Sequence, residues 1–372
     1  MAVSVAATQE ESGRHGLREL AQRCLAAQGG GAQNEELDFS GYTEPDLFSV
    51  SVRGLADDGP AATKALIKAL IDPHFETETI RAQQRLMIRQ FQADQEVPVS
   101  TARKAGLSAL YPASAVFLVP ECANLVISPA SLQAWIQAHV LPNRVTLVVS
   151  GQVNPAEIRQ VVEDATATWL PGPEVPAGGA GPAPAAVGSV RTDMIADESV
   201  VFVGARAPKR TDDDYPTALV AMIGLAHGMG SRLFKRLRDE LGLAYTVDGQ
   251  VVNGSLWPYM FALVSCQGQK VNRVSSETTE ELGRLSTGPL EPAEVDRARR
   301  FAQMELLRMR MSNAGAADFL SASVAFLPSL PPSGDLWSLA DKVQAVGPDR
   351  LQAFFAHWWR APSVVQVLGR EE

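Results

Sequence analysis

Between Pro171 and Ser189 the chain reads PGPEVPAGGAGPAPAAVGS, in which five residues are Pro, five Gly and five Ala. Such a stretch cannot sustain a helix and has little apolar surface to bury, so it reads as a linker. It divides the 372 residues into segments of comparable length, 1–170 and 190–372. Each is long enough to bury a core without disulfides or a structural metal. Two halves of similar size suggest a duplication, and a repeat is present. Residues 128–134 read SPASLQA and residues 347–353 read GPDRLQA. Both continue through an aromatic position to a histidine, His139 or His357, and then to a proline, Pro142 or Pro362. Both then enter a β-branched run ending in glycine, RVTLVVSG to Gly151 and SVVQVLG to Gly369. Proline at the first helical position, an apolar-periodic stretch, a second proline and β-branched residues spell helix, break, strand. At a shorter offset, Leu25 to Gly31 resembles Leu225 to Gly230, each closing a helical pattern on glycines.

The same rules place a strand in VSVAA, a helix near 14–27, a strand over 47–54 and helices over 61–70 and 76–92. Asn154-Pro155 opens another helix. In the second half SVVFVGAR is a strand, Asp213 or Asp214 starts a helix to Ala226, and SRLFKRLRDEL is a short amphipathic helix. TVDGQVV and YMFALVS are strands around a Trp257-Pro258 turn, and 291–311 is a long helix. Helices and strands do not alternate strictly, which points to α+β layers rather than a doubly wound sheet.

Several functional classes are excluded. The net charge is −9, with 33 basic against 42 acidic residues and no basic run, so the footprint of a nucleic-acid binder is missing. No window holds about 18 consecutive apolar residues, so no membrane span is expected. The opening MAVSVAATQEESGRHG lacks the basic n-region of a signal peptide. Cys24, Cys122 and Cys266 are far apart, odd in number and form no CxxC pair, and read as buried thiols of a cytoplasmic protein. Neither H-x-x-E-H nor H-E-x-x-H occurs, nor a G-x-S-x-G elbow or a phosphate loop. Gly228-Met229-Gly230-Ser231 lacks a phosphate loop's lysine and reads as a helix stop. His139 and His357, within apolar helices, are expected in the core.

One block carries a specific resemblance. Residues 227–247 read HGMGSRLFKRLRDELGLAYTV. With its Ser-Arg-Leu-Phe, Leu-Arg-Asp-Glu and Gly-Leu-Ala-Tyr elements, this resembles the C-terminal-domain signature of the insulinase/pitrilysin/mitochondrial-processing-peptidase family of inverted-motif zinc peptidases. The PAEI helix after Gly151, the linker, EPAEVDRARRFAQMEL and the paired LQA segments extend the likeness over the chain. The resemblance implies an α+β fold of two homologous α/β-roll domains, 1–170 and 190–372, the first shortened and missing its opening strand.

The resemblance also locates what this chain has lost. The family's helical zinc motif, Gly-Leu-Ala-His-x-x-Glu-His, aligns with residues 16–23, GLRELAQR. Glu19 stands for the first histidine, Gln22 for the catalytic glutamate and Arg23 for the second histidine. The third ligand falls near Gln83, after the Asp72-Pro73-His74-Phe75 turn. A guanidinium repels a cation, and glutamine cannot take a proton from a metal-bound water. No cofactor is therefore expected in this chain.

What remains is Arg238, seven residues before Tyr245. In the family this pair reaches substrate held at the zinc site of another domain or subunit. The resemblance thus implies a non-catalytic, peptide-binding subunit of a heterodimer whose zinc lies on a homologous partner, in leader-peptide or small-peptide processing. The competing expectations are a purely structural core-type subunit and a peptide-binding module without proteolysis.

Overall fold

A computed structural model describes residues 1–5, 10–29, 36–111, 119–173, 188–254, 256–288, 290–326 and 338–370. In chain order the first half contains β1 (Ala2–Val3), α1 (Leu17–Gly29), β2 (Asp38–Glu44) and β3 (Leu47–Arg53). These are followed by α2 (Gly59–Ile71), α3 (Thr77–Gln95), α4 (Pro98–Leu110), α5 (Pro129–His139), β4 (Val145–Thr146) and α6 (Pro155–Thr166). The second half contains β5 (Ser189–Ile195), β6 (Ser199–Arg206), α7 (Tyr215–Ala226), β7 (Ala244–Val252) and β8 (Tyr259–Cys266). It continues with α8 (Val271–Thr287), α9 (Pro292–Met309), α10 (Asn313–Phe326), α11 (Ser338–Gln344), α12 (Pro348–Trp358) and β9 (Ser363–Arg370). No described helix is long and apolar enough to cross a membrane.

The chain forms two compact units, and neither is contiguous. Unit 1 comprises residues 1–91, 119–179 and 308–330; unit 2 comprises 92–118, 180–307 and 331–372. In unit 1 an antiparallel sheet has the order β2-β3-β1-β4. The period of two along β3 sends Phe48, Val50 and Val52 to one face. There they join Leu20 and Leu25 of α1 and Leu66, Ile67 and Leu70 of α2 in one core.

In unit 2 the order is β5-β9-β6-β8-β7, antiparallel except for the β5–β9 pair. β6 is buried along nearly its whole length, which explains its unbroken apolar run. Val201, Val203 and Ala205 meet the core built on α7, α8 and α12. Phe202 lies over Gly106 of α4, where a Cβ would fall 2.4 Å from the ring. With β5 set aside, the two sheets share one order: β4-β1-β3-β2 in unit 1 and β9-β6-β8-β7 in unit 2. The repeat read from SPASLQA and GPDRLQA therefore extends to the topology.

The units do not follow the contiguous halves suggested by the linker. α4, from the first half, lies against β6, β8 and β9 of unit 2. α10, from the second half, lies against β1, β3 and β4 of unit 1. These helices occupy equivalent places in the repeat, each following a long helix, so the exchange is reciprocal. The sequence pattern predicts neither helix, because alanine, serine and glycine blur their apolar faces.

Two further expectations are corrected. RVTLVVSG forms a strand only at Val145–Thr146, because β1 offers it only two paired residues. His139 and His357 are not core residues: His139 is half-buried, its Nδ1 2.8 Å from the Trp135 carbonyl, and His357 is exposed.

The cysteines are buried and free. Burial pushes the Cys24 thiol up to about 12 and Cys266 up to about 11, and raises Cys122 as well. At pH 8 about one Cys266 in a thousand is thiolate, and fewer for Cys24. Native protein treated with iodoacetamide at that pH should show no cysteine adducts by mass spectrometry, and three after denaturation. Rapid alkylation of the native chain would contradict this burial.

Candidate functional site

Helix α1 is fixed at its start by groups outside it. The Glu10 carboxylate accepts from the backbone N–H of Arg18 at 2.6 Å and of Gly16 at 3.2 Å, satisfying donors that the first turn leaves open. The buried Arg18 guanidinium donates to the carbonyls of Val5 and Pro45, both at 2.8 Å. These contacts set the rotation of α1 and turn Glu19, Gln22 and Arg23 toward β2. On α3 the buried Gln84 amide donates to the carbonyls of Cys122 and Leu125 at 2.8 and 2.9 Å. Gln83, the next position round the helix, joins the other side of the same opening.

The result is a groove of about 610 Å³ in unit 1, lined by Glu19, Gln22, Arg23, Gln83 and residues 39–43 of β2. All four positions singled out on the zinc-motif alignment thus face one space. Among the described residues β2 is one of the two edge strands of its sheet. Ser51 opposes Ser40 while Val50 bonds to Met1 on the far side, so Phe39, Gly41 and Thr43 aim their backbone N–H and C=O groups outward. Gly41 is required here: a Cβ would lie 2.4 Å from the Gln22 amide nitrogen and 2.1 Å from the Ser49 carbonyl oxygen. Beside it the Tyr42 phenol is pushed up to about 12 by burial and by Glu44 and Asp318.

The donor set does not fit zinc. The Glu19 carboxylate is held by Arg23, with Nε and Nη2 each 2.8 Å from Oε1. The remaining groups are two amides and a guanidinium, none of them a zinc ligand. Among the described residues no cluster of three or more His, Cys, Asp and Glu could hold a metal ion. Elemental analysis of the purified chain should give well under one zinc per molecule; a tightly held stoichiometric zinc with chelator-sensitive cleavage would contradict this chemistry.

Arg238 and Tyr245 belong to unit 2. The helix expected over SRLFKRLRDEL buries Leu233 and Leu237 as its apolar stripe requires, but Phe234–Glu240 is a π-helix. Leu241 N–H bonds to the Arg236 carbonyl at 3.2 Å and Leu243 N–H to Leu237 at 2.7 Å, each ring one residue wider than in an ordinary helix end. Gly242, at φ +59°, makes the left-handed stop. Arg238 is exposed, its guanidinium 5.0 Å from the Phe234 ring centroid. Tyr245 is 49% exposed and sits where the β7–β8 register slips between Ala244 and Thr246. A bulge there re-aims a side chain that the regular pleat would fix. The π-turn and the bulge were not readable from sequence, since neither has a residue signature.

Residues 127–301 match the family model described as the peptidase M16 inactive domain. The match spans just under half of the chain. No match is found among curated protein sequences. Among solved structures the chain is similar to a peptidase M16 inactive domain from Pseudomonas fluorescens, with TM-score 0.86 and 17% identity over 100% of this chain and 93% of that one. It is also similar to a protease from Helicobacter pylori, with TM-score 0.84 and 11% identity over 99% and 92%. A chain of complex III from Candida albicans matches with TM-score 0.81 and 13% identity over 98% and 89%. The α+β fold that the resemblance of residues 227–247 implied is the fold the chain shares with these structures.

Proposed function

We propose that this chain is an M16-type, non-catalytic, substrate-binding subunit of a two-chain zinc peptidase. The reading is carried by the groove, which keeps an open edge strand while its metal-ligand positions hold an ion pair and two amides. An extended peptide can add to the outward groups of Phe39, Gly41 and Thr43 as a further strand. Hydrolysis then falls to a homologous subunit that carries zinc and its general base. Arg238 and Tyr245, both exposed, are the groups this chain would present to peptide held at that partner's zinc. A guanidinium grips a carbonyl, and a phenol donates to the oxyanion as it develops. Leader-peptide or small-peptide processing in the cytoplasm suits such a pair.

The test is co-expression with a zinc-motif homologue encoded beside this chain. Analytical ultracentrifugation should show a heterodimer of micromolar or tighter affinity, about −8 kcal/mol or better. Peptide cleavage should require both subunits. Separate species with and without peptide would overturn the reading. Assembly with no effect on cleavage would leave a structural subunit.

A further inference from the structure

One outer edge of the unit 2 sheet is β5, seven residues reading SVRTDMI, which among the described residues pairs only with β9. Unlike the strands beside it, β5 has little cover on either face. Every residue but Met194 is exposed, Val190 at 36% and Ile195 at 70%. The strand is therefore held by its ladder with β9 rather than by a core. It contains no proline, and its register with β9 runs without a bulge. Of the devices that blunt an edge against a second strand, it carries only charges.

The ladder decides which groups the edge offers. Val364 N–H bonds to the Gly188 carbonyl at 3.3 Å, and Ala196 N–H to the Arg370 carbonyl at 3.2 Å. With Val190 opposite Val365 in the parallel register, Val190, Thr192 and Met194 turn their backbone groups to β9. Ser189, Arg191, Asp193 and Ile195 turn theirs outward, and no described strand takes them up. Asp193 accepts from the exposed Arg370 guanidinium at 2.9 Å. Arg191 has no ion-pair partner among the described residues.

The order of residues makes this edge complementary to itself. A two-fold axis through Thr192 lays two β5 strands antiparallel, with Arg191 of each copy opposite Asp193 of the other and Ser189 opposite Ile195. These are the outward-facing residues, so each pair can exchange both backbone bonds, as an antiparallel ladder requires. On the other face Val190 falls opposite Met194, and Thr192 meets its own copy in a non-hydrogen-bonded pair. Sliding the strands by two residues in either direction sets Arg191 against Arg191, or Asp193 against Asp193. Opposite charges across a ladder stabilise it and like charges destabilise it, so the charge order selects a single register.

We infer that this chain pairs with a second copy of itself through β5, joining two five-stranded sheets into one continuous sheet about an axis at Thr192. Both copies use the same surface, so association closes at the dimer. A single strand pair buries less area than a standard interface, so the dimer should be reversible, with a Kd of about 1–100 μM. The inference is independent of the groove in unit 1 and of the peptidase reading.

Sedimentation equilibrium of the full chain alone should show monomer passing to dimer across that range. Arg191→Asp sets acid against acid at both symmetric positions, and Asp193→Arg sets base against base. Each should raise Kd at least about tenfold. An equimolar mixture of the two variants should dimerise again, because every pair is then acid against base. Thr192→Cys should give a disulfide-linked dimer under mild oxidation, since an opposed non-hydrogen-bonded pair brings its Cα atoms to about 4.5 Å. Val190→Cys, about 13 Å or more from its own copy, should not. The native cysteines are buried and leave this readout clean. Hydrogen exchange at Arg191 and Asp193 should slow as concentration rises. The inference fails if the chain stays monomeric to about 100 μM, or if either variant alone dimerises like the unmodified chain. It fails too if the mixture does not recover, or if Val190→Cys cross-links as readily as Thr192→Cys. Protection of the Arg191 and Asp193 amides in the dilute monomer would also overturn it, because the chain itself would then cover the edge.

Discussion

Tyr245→Phe in the proposed two-chain peptidase is expected to lower kcat about 10- to 100-fold. The substitution removes one hydrogen and little volume, and Tyr245 is half exposed at a bulge, so folding should be unaffected. Loss of one oxyanion donor typically costs about 100- to 1000-fold, and a zinc ion sharing the charge reduces that penalty. Arg238→Ala should instead raise KM, because a grip on a carbonyl exists in the ground state and the transition state alike. Arg238 contacts the Phe234 ring and stands clear of the core, so this variant too should fold. Steady-state kinetics of the two variant complexes, with zinc content and assembly measured alongside, give the comparison. Wild-type kcat/KM in both would remove these residues from the mechanism and leave the chain a scaffold.

The largest stability effect is expected from Phe202→Ala. Phe202 is wholly buried, lies over Gly106 of α4, and stacks on Phe261 at 5.4 Å between centroids. Removing such a ring costs about 3–5 kcal/mol, a large part of the 5–15 kcal/mol by which a domain is usually stable. At about 2–4 °C per kcal/mol, unit 2 should melt roughly 6–20 °C lower. Calorimetry measures the shift, and hydrogen exchange should show α4 losing protection first. A change of only a degree or two would mean that α4 is not held by this contact.

The sequence showed best those features fixed by local chemistry. The Leu233–Leu237 stripe, the stop at Gly242 and the proline-led helices α5 and α12 follow from spacing alone, and the structure contains all of them. The four altered positions of the zinc-motif alignment also line one groove, because helical periodicity puts residues 19, 22 and 23 on one face. What escaped was determined at a distance. RVTLVVSG carries every mark of a strand, yet strand pairing needs a neighbour, and β1 provides one for only two residues. β2, with Ser, Gly and Thr at its centre, looks like a loop until β3 is beside it. The edge that lines the groove was therefore hidden by its own polarity.

The reciprocal placement of α4 and α10 also dictates an order of synthesis. On the ribosome, β1 to β3 emerge early, but α10, which lies against them, comes more than two hundred residues later. α4, made among the elements of the first sheet, must wait with its small-residue face uncovered until β6 arrives to supply Phe202. Neither unit can close while the other is still untranslated, so the usual sequence in which an N-terminal domain folds first is unavailable to this chain. Its nascent form carries two incomplete cores at once, and chaperone demand should peak late in translation. A stop codon near the linker would yield not a half-sized folded domain but an insoluble fragment.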